Sequence, residues 1–143
     1  MNKQPTRRSS LFLMELIIAI LFFSLASSVC VRIFVKSHTL EQESINLNHA
    51  VSAATSVAEI FRNQKNPFEI LEKQYPDGIK NDNHYQFFYD KDWSLCDKNE
   101  AIYTVITDFM KDGSFETADI QVVVSKQCIY DLSVKKYVDQ EDH

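Results

Sequence analysis

The segment Leu11–Val31, LFLMELIIAILFFSLASSVCV, is apolar almost throughout yet carries one carboxylate, Glu15, near its N-terminal end. A helical run of about twenty apolar residues, rising about 1.5 Å each, matches a hydrocarbon core of about 30 Å. An acid inside such a run costs roughly 2 to 3 kcal/mol on insertion scales and is usually retained for a partner. Three simpler readings compete. A secretory signal peptide would use Ala26 and Ser28 as its cleavage site, but such signals have shorter apolar cores, typically without an acid. A lipoprotein signal ending at Cys30 would put branched Val29 where a small residue is wanted. A plain single-span anchor would leave Glu15 without a task.

The flanking charges set an expected orientation. Lys3, Arg7 and Arg8 precede the apolar run, whereas Arg32 and Lys36 after it are soon balanced by Glu41 and Glu43. Short Lys/Arg-rich flanks stay on the cytoplasmic side, which places the N-terminus inside and the chain from about Arg32 onward outside the cytoplasmic membrane.

The string RRSSLFLMELIIAI combines a short basic leader, a small residue, an apolar residue and a glutamate four positions further on. It resembles the N-terminus of type IV pilins and type II secretion pseudopilins, with Ser10, Leu11 and Glu15 at the matching positions. The resemblance implies cleavage between Ser10 and Leu11 by a prepilin peptidase, with methylation of the new amino terminus. The family normally has glycine where this chain has Ser10, which implies slower processing. It also implies that Glu15 attracts the free amino terminus of a neighbouring subunit during filament assembly. The partners implied are other pilin or pseudopilin subunits, the peptidase, an inner-membrane assembly platform and membrane lipid.

Beyond the apolar run no glycine or proline appears until Pro67, and Leu40, Leu47, Val51, Ala54, Ala58 and Phe61 recur at three-to-four spacing, with a seven-residue step at the start. That spacing lines one face of an amphipathic helix. A helix from Leu11 to Asn63 would be roughly 80 Å long. From Asn66 the chain reads NPFEILEKQYPDGIKNDN, a connecting loop with one short helical turn. Period-two patterning then marks strands at His84–Tyr89, Ala101–Phe109, Asp119–Val124 and Cys128–Lys135, with Lys111, Asp112 and Gly113 as a hairpin turn. The expected fold is α+β: a long N-terminal helix with one half packed, over Leu40–Phe61, on a four-stranded antiparallel meander. Its expected organisation is a leader at 1–10, a transmembrane half-helix at 11–32, an amphipathic half at 33–63, and a loop plus sheet at 64–143. The 143 residues leave room for one such domain.

The formal net charge of −5 gives no footprint for nucleic-acid binding. Cys30 lies in the apolar run and reads as a small apolar residue. Cys96 and Cys128 fall outside it and could either bridge, if the meander brings them together, or remain separate thiols. His38, His49, His84 and His143 show no metal-ligand spacing with the cysteines, and no nucleophile elbow or phosphate-cradling loop is present. Asp90, Asp92, Asp97 and Glu100 in DKDWSLCDKNE match no calcium-loop spacing and read as a solvated acidic turn. The expectation is a minor pilin or pseudopilin, not an enzyme, with no cofactor and no metal. The alternative is an uncleaved single-span membrane protein whose outer domain binds a ligand or partner.

Overall fold

The computed structural model describes residues 6–139. The chain divides into two units between Ser44 and Ile45. Helix α1 (Thr6–Asn63) supplies all of the described part of the first unit and the helical layer of the second.

In the second unit α1 is followed by α2 (Pro67–Gln74) and six strands: β1 (Ile79–Asn81), β2 (His84–Tyr89), β3 (Leu95–Cys96), β4 (Tyr103–Asp112), β5 (Phe115–Val124) and β6 (Gln127–Tyr137). Every pairing is antiparallel, in the order β1-β2-β4-β5-β6. Strand β3 also pairs with β2. Because β4 occupies the whole of one β2 edge, β1 and β3 share the other. The four strands expected from the sequence are β2, β4, β5 and β6. The two short ones are additional, and their lengths of three and two residues are too brief to show a period against the polar turns around them.

One sheet face forms the core. Rows run across the strands as Tyr85–Thr107–Ile120–Leu132 and Phe87–Val105–Val122–Tyr130. Ala50, Ala53, Ala54, Val57, Ala58 and Phe61 of α1 are buried within this core. The packed face is therefore an alanine stripe that begins at Ala50: Ala54, Ala58 and Phe61 of the line read from the sequence lie on it, while its N-terminal part does not. Leu40 and Leu47 are exposed. At 3.6 residues per turn the stripe is rotated by roughly 60° from the expected one. Alanine carries little hydrophobic signal, yet its small side chain lets a helix lie close on a sheet of Tyr, Phe and Val.

Strand β6 also departs from simple alternation. The register slips between Val122 and Val123, so that Ile129 is an extra residue opposite β5. Such a bulge flips the phase of everything beyond it. Tyr130, Leu132 and Val134 pack against the core, and so does Ile129 in the bulge, while Cys128 is exposed. Two tight turns frame this sheet end to end. Gly113 takes φ +60 between β4 and β5, and Ser125 and Lys126 both take positive φ between β5 and β6.

The end of α1 lacks a glycine cap, and a residue distant in sequence replaces it. The Lys136 ammonium donates to the carbonyls of Phe61 at 2.7 Å and Gln64 at 3.2 Å. A cation at a helix C-terminus satisfies orphan carbonyls and opposes the negative end of the macrodipole. Helix α2 starts on Pro67, whose missing N–H costs nothing at that position. It is held by Tyr85, whose hydroxyl donates to the Tyr75 carbonyl at 2.8 Å, and by stacking of Tyr75 on Phe87 at 3.8 Å. Gly78 is required there, since a Cβ would overlap the Tyr85 hydroxyl.

Candidate assembly segment and the surfaces of the second unit

Ser10, Leu11 and Glu15 all lie within α1, and all three are exposed. Four residues make slightly more than one helical turn, so Leu11 and Glu15 sit on the same face. Glu15 makes no hydrogen bond or ion pair among the described residues. The apolar side chains around it are exposed on every side of the helix, from Leu11 at 67% to Phe23 at 77% and Phe34 at 74%. A helix that is apolar all round and covered by nothing requires a non-aqueous surrounding or other chains. Among the described residues this is the one helix long and apolar enough to cross a membrane, and it lies near the N-terminus.

The structure does not bring Cys96 and Cys128 together. Cys96 pairs with Phe88, Phe88 with Thr104, Thr104 with Val123, and Val123 with Cys128. Four strand spacings of about 4.8 Å separate them by roughly 19 Å, far beyond disulfide reach. Both are free thiols, as is Cys30. Burial, and then the carboxylates of Asp90, Glu100, Asp97 and Asp77, raise the Cys96 pKa and keep it protonated.

The acidic segment after β2 is a self-bonded turn. Asp90 Oδ1 accepts from the Asp92 N–H at 2.8 Å and the Ser94 N–H at 3.0 Å, and Asp97 Oδ1 accepts from the Asn99 N–H at 3.0 Å. These are Asx-type bonds, in which a short carboxylate mimics a turn of backbone. Within this turn Trp93 takes φ +60, a conformation costly for a bulky residue. Packing holds it there. The indole stacks on Tyr103 at 4.0 Å and on His49 of α1 at 5.2 Å, and its Nε1–H donates to Asn46 Oδ1 at 3.2 Å. Sequence reasoning missed this clamp. Its one visible trace is the sole tryptophan of the chain sitting inside a polar turn.

At the opposite end of the sheet a cleft of about 440 Å³ opens between the end of α1, the first turn of α2 and the end of β4. Phe61, Phe68 and Phe109 form its apolar wall, and Lys65, Lys80 and Lys111 stand at its rim. On the outer face of the sheet His84 Nδ1 lies 2.6 Å from Asp108 Oδ1, and Ser133 Oγ donates to Asp119. Asp108 and Asp119 are directly opposed across β4 and β5. Each carboxylate is thus engaged by a neighbour that offsets the cost of their like charge.

Comparison with protein-family models, with curated proteins and with solved structures finds no match. The class that the fold defines is an α+β unit carrying a long N-terminal helix on an antiparallel sheet, with a candidate membrane span in that helix.

Proposed function

We propose that this chain is a structural subunit of a filament of the type IV pilus, type II secretion or competence kind, in the role of a minor pilin or pseudopilin. The observation that carries the reading is the exposed, all-round apolar helix in which Glu15 stands one turn after Leu11 without a partner among the described residues. An unpaired carboxylate in hydrocarbon gains strongly from an opposite charge, and cleavage after Ser10 would create one at the Leu11 amine of a neighbouring copy. The helix-on-sheet architecture of the second unit supports the same reading. The N-terminus faces the cytoplasm before processing, and the sheet-bearing unit faces outward, in keeping with the basic leader.

Glu15→Ala tests the pairing. The variant inserts at least as well as the native chain, because the cost of the acid is gone, but it does not enter filaments when expressed with the native assembly apparatus. Normal incorporation of Glu15→Ala would refute the role given to this carboxylate.

A further inference from the structure

The cleft at one end of the sheet and the turn at the other carry opposite net charge: three lysines against Glu69 and Glu116 in the cleft, and four carboxylates against Lys91 and Lys98 in the Asp90–Glu100 segment. The cleft offers an aromatic wall of Phe61, Phe68 and Phe109 behind lysine ammonium groups. Lys65 forms no hydrogen bond or ion pair among the described residues, and Lys111 has only a loose contact with Glu116 at 3.9 Å. The turn presents Asp92 and Glu100, whose carboxylates are also unpaired among the described residues, around Leu95, which is 50% exposed. The two surfaces lie at opposite ends of β4, with Tyr103 near the turn and Lys111 at the cleft. Eight residues of antiparallel strand separate those ends by roughly 27 Å.

We propose that the cleft of one copy receives the Asp90–Glu100 turn of a second copy, with Leu95 against the phenylalanine wall and Asp92 and Glu100 among Lys65 and Lys111. The contact is heterologous, since each copy uses one end of its sheet to meet the other end of the next, so it propagates and does not close into a two-fold pair. It rests on the filament reading and names the contact between the outer units of successive subunits. Charge complementarity sets register and partner choice at the rim, while the apolar anchor in the wall supplies the dry centre of the interface.

The test uses the full chain in membranes of cells that assemble it, with a benzophenone photo-crosslinking residue introduced separately at Leu95 and at exposed Leu40 of α1. Trp93 fluorescence verifies that each variant is folded. The proposal expects copy-to-copy crosslinks from both sites, with those from Leu95 mapping by mass spectrometry to peptides containing Phe68 or Met110. Lys65→Glu with Lys111→Glu lowers the Leu95 crosslink by about tenfold or more through like-charge juxtaposition. Adding Asp92→Lys and Glu100→Lys to the same chain restores it. Crosslinks from Leu40 without any from Leu95, or with Leu95 mapping elsewhere, overturn the docking and leave the filament reading standing. Crosslinks from neither site overturn both.

Discussion

Replacing Lys136 with methionine removes the cation that, among the described residues, ties β6 to the end of α1. The ammonium donates to the carbonyl of Phe61 in the last turn of α1 and to that of Gln64 just past it, lies 3.5 Å from Glu116 Oε2, and stands 4.4 Å from the centre of the Phe61 ring. The side chain is only 18% exposed, so these contacts are sheltered from water in good part. A hydrogen bond involving a charged group contributes about 1.5 to 3 kcal/mol, the macrodipole about 0.3 to 1, and the ring contact about 0.5 to 1. Burying the ammonium costs several kcal/mol and offsets part of that sum. Methionine retains the aliphatic stem and its packing, so the loss is electrostatic. The expected net destabilisation is about 2 kcal/mol. Urea unfolding of the detergent-solubilised chain, followed by fluorescence of its single tryptophan, measures it. With a urea slope of about 1 to 3 kcal/mol/M, the midpoint falls by roughly 1 to 2 M. Lys136→Arg, which keeps the charge, falls by less. A change under about 0.5 kcal/mol for methionine would refute the reasoning that Lys136 caps α1, since even one lost charged bond exceeds it.

Three further outcomes follow from the same structure. Thr107 is fully buried with a hydroxyl that has no hydrogen-bond partner among the described residues, so Thr107→Val stabilises by about 1 kcal/mol in the same urea assay. Burial raises the phenol pKa of Tyr75, Tyr85 and Tyr89 above the ordinary 10.0, with Tyr75 adding to the shift at Tyr89. Because the fold holds the neutral form, their contribution is complete below pH 10 and is lost as pH climbs from 10 through the raised values. Stability measured against pH therefore falls above pH 10, and a flat profile to pH 12 would contradict the burial of these rings. Cys96 and Cys128 both react with a thiol reagent when the unreduced chain is unfolded, and a mass two protons lower than the free thiols would contradict their separation.

The parts legible in the sequence are those where one residue type repeats at one period. Tyr103, Val105, Thr107 and Phe109 alternate strictly and lie in β4, but the strand begins at Tyr103, not Ala101, and runs on through Lys111 and Asp112, which pair with Glu116 and Phe115 where the sequence reading put the hairpin turn. Strand β2 has the exact bounds read from HYQFFY. The helix was legible as a helix, but its packed face only in part: Ala54, Ala58 and Phe61 lie on it, whereas Leu40 and Leu47 outweigh Ala50 and Ala53 in a reading by hydrophobicity. A single extra residue, Ile129, takes Cys128 out of the alternation of Tyr130, Leu132 and Val134, and no local signal marks such a bulge. Contacts between distant segments were beyond reach for a different reason. Nothing near Phe61 or Gln64 announces that their carbonyls meet Lys136, and nothing near Trp93 announces Asn46 and His49. Those pairings are products of the register of the sheet on the helix. Of the candidate assembly segment, the residues themselves were legible from spacing, since Leu11 and Glu15 need only a helix to share a face.

The measurement that bears most directly on the central proposal is the N-terminal sequence and intact mass of the membrane-extracted chain, expressed with the matching prepilin peptidase. The account predicts a chain that starts at Leu11 and carries one added methyl group. An intact Met1 would contradict it and favour an uncleaved membrane anchor, and a start near Val29 would contradict it in favour of an exported protein released from its signal.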